Sequence, residues 1–430
     1  MTEQVAMSAG DGLPAHVQGA ADPKFACAVE TFAKLFPGPR YGGGALSVYV
    51  DGQPVVDVWT GWSDREGRVP WTADTGAMVF SAGKGVASTV LHRLADRGLL
   101  SYDDPIAQYW PEFGANGKSD ITVRDMMRHT TGLSRLGTIT TEQLLDHRFM
   151  EQRLAAAPVD RLAGRAAYHA FTFGWLASGL ARAITGKGMR ELFRTEIARP
   201  LDSDGIHLGR PPADGPTKAA QTMFPQRFSC GPALGRLISL MAKLPVPGSL
   251  GATYAPGITS LLPGDMALLD SEIPAVNAVV TARGLAKMYG ALTNGGSIDG
   301  KRFLSEELVA SLTGRRSFRP DFNVFFPMSF HLGYHGSPVP GLLRGFGHAG
   351  LGGTIGWADP TTKSSFAFVH NRLLTPVVVD QLLFVPLLIP VQRAVTAAHT
   401  RGFAAVPQFG ARPSDEARGS QHPRACPGGP

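Results

Sequence analysis

Val79-Phe80-Ser81-Ala82-Gly83-Lys84-Gly85-Val86 sets a serine and a lysine three residues apart at the head of a helix-patterned segment. Val86, Val90 and Leu94 recur at four-residue spacing behind the pair, and Gly98 stands where a helix would be capped. Positions i and i+3 share a helix face, so the Ser81 hydroxyl and the Lys84 amine are expected side by side at a helix start. A serine hydroxyl is a poor nucleophile near neutral pH unless a base takes its proton. A lysine can be that base when burial or nearby cations hold its pKa down. Alone, Ser81 reads as a helix cap and Lys84 as a solvated helix residue, and a chain of this length holds roughly one S-x-x-K pair by chance. What accompanies the pair decides its meaning.

Working outward, Ala45 to Val50 and Pro54 to Trp59 flank Asp51-Gly52, a hairpin signal. Thr354 to Ala358 and Ser365 to Val369 bracket Asp359 to Lys363 as a second hairpin. Between them, helical patterns cover Ser81 to about Arg97, then Val123 to Arg128, Thr141 to Ala155, Phe173 to Ile184 and Met189 to Ile197. Strands at both ends with helices between imply an α+β fold, its antiparallel sheet built from sequence-distant strands. Residues 1–22 read as a flexible N-terminus, 23–403 as one catalytic-sized domain, and 404–430 as a disordered tail. Residues 211–270, rich in Pro and Gly, read as an insertion that walls a pocket or forms a surface loop.

Composition narrows the function classes. Of the 430 residues, 43% are hydrophobic and 18% charged, so a sizeable core is available. The net charge is +6, but Lys and Arg are scattered and interleave with no aromatic stripe, which argues against nucleic acid as a partner. Cys27, Cys230 and Cys426 are far apart and lack metal-ligand spacing; no metal or organic cofactor is implied. The odd, sparse cysteine count and the absence of a basic-then-apolar leader point to a cytoplasmic location. The apolar run Pro376 to Val391 is interrupted by Asp380, Gln381, Pro386 and Pro390, too broken for a membrane span. It reads as a buried terminal helix, with peripheral membrane or lipid contact as the alternative.

No G-x-S-x-G occurs, so a serine nucleophile here uses other geometry. Downstream of S-x-x-K come Tyr168-His169-Ala170 and then Gly347-His348-Ala349-Gly350-Leu351-Gly352-Gly353. That order resembles the class C β-lactamase-like serine hydrolases, most closely their esterase branch, the family VIII carboxylesterases, over residues 25 to 395. Met127 to Leu133, Pro274 to Asn277 with Thr281 to Arg283, and Thr293 to Gly296 resemble the same family. The resemblance implies a β-lactamase/transpeptidase-like fold, an antiparallel sheet flanked by helices plus a mainly helical region. It also implies Ser81 as acyl-accepting nucleophile, Lys84 as the group easing its deprotonation, and Tyr168 as proton relay. A cationic lysine beside Tyr168 would stabilise a phenolate there. The implied oxyanion hole is the N–H of Ser81 and of Leu351, with Gly350 and neighbouring glycines admitting substrate to the strand edge and Trp357 as pocket wall.

Two positions depart from the β-lactamase pattern. Ala170 replaces an asparagine, and His348 replaces a lysine that would supply a permanent cation for a β-lactam carboxylate. Small or medium acyl esters, which carry no carboxylate there, tolerate both changes. The expected function is therefore ester hydrolysis through a Ser81 acyl-enzyme. β-Lactamase or D-amino-acid peptidase activity, acyl transfer to an alcohol, and a non-catalytic penicillin-binding-like scaffold remain as alternatives.

Overall fold

The computed structural model describes residues 6–8, 11–224, 267–314, 318–324, 327–337, 339, 341–374 and 380–412. Most of the anticipated insertion, residues 225–266, and the tail beyond 412 lie outside the described residues.

The early hairpin forms as read: β3 (Gly43–Val50) pairs antiparallel with β4 (Gln53–Gly61) through a turn with φ of 48° at Asp51 and 74° at Gly52. Alternation sends Leu46 and Val48 to one face and Ala45 and Tyr49 to the other. The late hairpin, β12 (Ile355–Asp359) and β13 (Ser364–His370), docks β13 against β3. With β1 (Met7–Ser8), β2 (Val17–Ala21), β9 (Phe330–His331), β10 (Tyr334–His335) and β11 (Phe346–Ala349), they make a nine-stranded antiparallel sheet in the order β1-β2-β4-β3-β13-β12-β11-β10-β9. A second sheet joins β5 (Thr75–Met78), β6 (Ile206–Leu208), β7 (Lys218–Ala219) and β8 (Ala278–Val280) in the order β6-β8-β5-β7.

Helices cover both faces of the large sheet. On one face lie α1 (Ala26–Lys34) and the terminal α5 (Val385–Arg401), whose Leu387, Leu388, Val391, Val395 and Ala398 are buried against Leu46, Val48 and Phe366. Of the apolar run Pro376 to Val391, residues 376–379 lie outside the described residues, 385–391 open this helix with Leu387, Leu388 and Val391 buried, and Leu382 and Ile389 are exposed; among the described residues no helix is long and apolar enough to cross a membrane. On the other face, α4 (Ala282–Thr293) lies over β3, β12 and β13 and adjoins the helical region, where α2 (Gly83–Asp96) packs on α3 (Thr172–Thr185). Val86, Val90 and Leu94 of α2 are fully buried, as their spacing implied. The single helix expected over Thr141 to Ala155 is instead two, broken at Asp146, whose side chain caps the second.

Parts of both end segments, within residues 11–22 and 404–412, pack against the body of the protein. β2 pairs with β4 along five residues, and its small side chains suit that position: a Cβ on Gly19, at φ 105°, would meet Asp57 O at 2.1 Å. The strand is held by its backbone ladder rather than by large apolar side chains, so composition hid it. Residues 404–412 also pack. Ala404 N donates to Asp22 Oδ2 at 2.5 Å, Val406 N to Pro54 O at 2.8 Å, and Phe409 meets Trp59 edge-on.

One buried ion pair ties α4 to the sheet. Arg283 Nε donates to Asp57 Oδ2 at 2.5 Å and Arg283 Nη1 to Ala73 O at 3.1 Å, while burial raises the Asp57 carboxyl despite that cation. Arg283→Ala should lower unfolding free energy by about 3–5 kcal/mol, because it strands a buried charge, whereas Arg283→Met with Asp57→Asn should recover much of the loss. Denaturant titration of the three proteins checks this, and equal losses in the single and double variants would refute it. Two buried histidines add an acid weakness. Burial pushes His92 down to about 3 and His370 to about 4. In the unfolded chain both protonate near pH 6.5, so their stability contribution is complete above that pH and lost as pH falls toward the folded values. Each should cost about 1–2 kcal/mol between pH 7 and 5, read as a falling denaturation midpoint that is blunted in His92→Gln.

Candidate active site

The nucleophile turn lies where β5 ends and α2 begins. Ser81 sits in a 3-10 turn, Phe80–Ala82, that precedes α2, rather than in the helix itself. Phe80 takes φ 48°, a left-handed conformation uncommon for a large side chain, and so turns the chain sharply just before Ser81. The turn's first internal bond comes from Ala82 N to Val79 O, which leaves the Ser81 N–H among the donors that have no partner within the turn.

Lys84 is wholly buried behind Ser81. Its Nζ lies 2.8 Å from Ser81 Oγ and donates to Ala170 O at 2.7 Å and Ala275 O at 3.2 Å. Burial drives its pKa well below the ordinary lysine value, so the amine is held toward neutrality. A neutral amine has two N–H groups and one lone pair. In the neutral form, with the carbonyl oxygens engaging both N–H groups, the lone pair would be left for the Ser81 hydroxyl.

Tyr168 faces the same point from an irregular stretch, 166–170. Its hydroxyl faces Ser81, its ring stacks on Phe330 at 5.6 Å, and the His129 ring lies 5.1 Å away. Burial raises its pKa above the ordinary phenol value, Ser81 opposes that shift and Asp321 adds to it. Burial works against the expected phenolate beside a lysine cation, because it disfavours the charged form of both groups.

His348, on β11, fills the place expected for a lysine without supplying its charge. Its Nδ1 donates to Ala349 O at 2.9 Å, and burial, with His335 and Lys84 nearby, pushes its pKa well below the usual histidine value. His335 brackets the same peptide, accepting from Ala349 N at 3.0 Å through Nε2 and donating from Nδ1 to Gly336 O at 3.1 Å. His169 is also neutral, pushed down to about 4 by burial, and bonds Thr131 and Ala167 O rather than the reacting groups.

After β11 the chain crosses the nucleophile turn. A Cβ on Gly350 would lie 2.1 Å from Val79 O, so glycine is required by backbone approach to that turn. This differs from the expected role of admitting substrate. Thr354 Oγ1 donates to Val79 O at 3.0 Å, and Gln381 Nε2 to Gly350 O at 3.0 Å, fastening the crossing. Leu351 opens a 3-10 turn closed by Gly353 N to Gly350 O, so its N–H, like that of Ser81, has no partner within its turn.

These parts surround a cavity of about 590 Å³. Ser81, Tyr168, His348, Gly350, Leu351 and Trp357 all line it, while Lys84 stands behind Ser81. Trp357 is wall: its indole N–H is engaged by Arg344 O at 2.6 Å. Most of the remaining lining is apolar, including Phe80, Phe171, Met328, Leu343, Ile355 and Phe384. Sequence reasoning missed His335, Gln381 and the Asp321–Asn323 turn, which act through backbone groups and carry no local pattern. The Ala275 carbonyl lay inside a stretch singled out only for its family likeness.

Residues 29–384 match the Beta-lactamase family. The chain is 57% identical over 410 residues to Esterase/beta-lactamase LipL of Mycobacterium tuberculosis (strain ATCC 25618 / H37Rv), covering 94% of this chain and 95% of that protein. Among solved structures, a family VIII carboxylesterase superposes with a TM-score of 0.75 at 30% identity, and a penicillin-binding protein homologue from Caulobacter crescentus with 0.74 at 28%. Each alignment spans 88% of this chain and 99% of the other. With a serine, a buried lysine and a tyrosine converging at an apolar pocket on this fold, the chain belongs to the Beta-lactamase family of serine hydrolases.

Proposed function

We propose that the protein is a carboxylesterase acting on small or medium acyl esters through a Ser81 acyl-enzyme. The observation that carries this reading is the Lys84 amine 2.8 Å from Ser81 Oγ, with its two other contacts made to carbonyls, beside a pocket whose His348 supplies no cation. Ser81 Oγ attacks the ester carbonyl as its proton passes to the Lys84 lone pair. The carbonyl oxygen, now negative, is received by the N–H groups of Ser81 and Leu351. As the C–O bond to the alcohol breaks, the leaving oxygen takes the Tyr168 proton, and the Lys84 ammonium restores it. Water then attacks the acyl-enzyme by the reverse proton route, releasing the acid and regenerating Ser81.

The absence of a cation at His348 sets the choice of substrate. A β-lactam brings a carboxylate whose desolvation in an apolar pocket goes uncompensated without an opposing charge. A neutral ester meets no such cost. The name of the Mycobacterium tuberculosis relative joins esterase and β-lactamase, so the two activities are the ones to compare.

Intact protein treated with a fluorophosphonate probe should take up one label at Ser81 by mass spectrometry, and Ser81→Ala should take up none and lose at least about 10³-fold in kcat on p-nitrophenyl butyrate. Near-wild-type activity in Ser81→Ala would sink the mechanism, and nitrocefin turnover above ester turnover would overturn the substrate. Lys84→Met should lose activity by a similar factor yet unfold at higher temperature, since it removes a buried ionisable amine. For wild type, burial lowers the Lys84 pKa, so its base form is lost only as pH falls through that depressed value and the acidic limb of kcat/KM should lie well below the ordinary lysine range. A rate still climbing toward the ordinary lysine pKa, about 10.4, would mean that Lys84 is charged at rest.

A further inference from the structure

Tyr168 belongs to no helix or strand, so its position depends on individual bonds. Ala167 N donates to His129 O at 3.1 Å, and His169 N to His129 Nδ1 at 3.1 Å. The other half of the support comes from residues 321–324, far away in sequence. Phe322 N donates to Ala166 O at 2.9 Å and Asn323 Nδ2 to Tyr168 O at 3.0 Å. That turn is itself folded around Asp321, whose Oδ1 accepts from Asn323 N at 2.8 Å and Val324 N at 3.0 Å. The Tyr168 amide faces the same carboxylate.

Asp321 is 2% exposed, a poor place for a carboxylate unless it has work there. Burial raises its proton affinity, and the amides of Asn323, Tyr168 and Val324 favour its charged form. The other groups that face Tyr168 are Ser81 and Lys84 from the start of α2, His129 from the loop after Met127, and His348 from β11. Lys84, His129 and His348 are all held toward neutrality by burial. Asp321 is the acid that acts on the phenol, and in its ionised form it disfavours the phenolate.

We propose that Asp321 is a positioning residue for the Tyr168 hydroxyl: it builds the turn that holds Tyr168 at Ser81, and its negative charge opposes loss of the phenol proton. This rests on the assignment of Tyr168 as proton carrier made above. The consequence is a division of labour. Tyr168 stays protonated as the donor to the leaving oxygen, and Lys84 is left to take the Ser81 proton. The step balances: one proton leaves Ser81 for Lys84, one leaves Tyr168 for the alcohol oxygen, and the Lys84 proton replaces the latter.

The test compares two esters that differ in need. Ethyl butyrate has a strongly basic leaving oxygen that must be protonated, whereas p-nitrophenolate leaves without a proton. Asp321→Asn keeps an oxygen for the two amides and removes the charge. Its kcat/KM for ethyl butyrate, followed by pH-stat, should lose activity on the alkaline side about one pH unit earlier than wild type, while p-nitrophenyl butyrate shows little change in that limb. Asn323→Ala, which removes only the bond to Tyr168 O, should lower kcat on ethyl butyrate several-fold without moving the limb. An unmoved limb in Asp321→Asn would overturn the proposal and leave a structural role only. Ultraviolet titration of wild type against Tyr168→Phe needs no Asp321 variant: Tyr168 should ionise above the ordinary phenol value, and ionisation at or below about pH 10 would also overturn it. Fluorophosphonate labelling of Ser81 in the same samples separates the two readings, because a labelled serine with an unmoved limb defeats the Asp321 assignment alone.

Discussion

Everything at this site depends on keeping one amine out of water. A lysine with no exposed surface cannot afford its charge unless a counter-ion is present, and the contacts of Lys84 are a hydroxyl and two carbonyls. Burial therefore disfavours the charged form of Lys84 and shifts it from an ordinary surface cation toward a base. The carbonyls come from Ala170 and Ala275, in two segments distant from α2 and from each other. Both segments must be in place before Lys84 is oriented at Ser81.

That dependence explains the unusual backbone nearby. Phe80 is forced into the left-handed region, and Gly350 passes so close to Val79 O that no side chain fits. The two features meet at one point: the peptide of Val79 is gripped by Thr354 Oγ1 on one side and closes the Ser81 turn on the other. Ser81 and Leu351, each with an N–H that has no partner within its turn, are thereby brought to line the same cavity. Side-chain identity at position 351 matters little to such a donor; the glycine before it matters a great deal.

The legible part of the protein was whatever has a period or a turn signal. Asp51-Gly52 announced the first hairpin, Val86, Val90 and Leu94 announced α2, and the S-x-x-K spacing announced the contact between Ser81 and Lys84. β2 was not legible, because Val17 to Ala21 is stabilised by its ladder to β4 rather than by apolar alternation. Tyr168 could be placed only by likeness to a family, since its stretch is irregular. Its charge state depends on burial, which lowers the Lys84 pKa and raises that of Tyr168, and burial of that kind leaves no local pattern. Asp321 and Gln381 were invisible because a carboxylate or amide that serves backbone groups from another part of the chain leaves no mark in its own neighbourhood.

A neutral site also bears on what the pocket selects. His129, His169, His335 and His348 cluster around Lys84 and Tyr168, and a set of protonated imidazoles there would both attract carboxylates and repel a proton arriving at Lys84. Burial prevents this at His129, His169 and His348, and His335 accepts from Ala349 N through Nε2, which an imidazolium cannot do. Replacing the family's lysine by His348 thus does two things together. It removes the anchor for an anionic substrate, and it avoids a permanent cation that would compete electrostatically with protonation of Lys84 during acylation. On the proposed esterase reading, a preference for uncharged esters and the basicity of Lys84 would follow from the same substitution, and a cation at position 348 is expected to alter the base as well as the substrate.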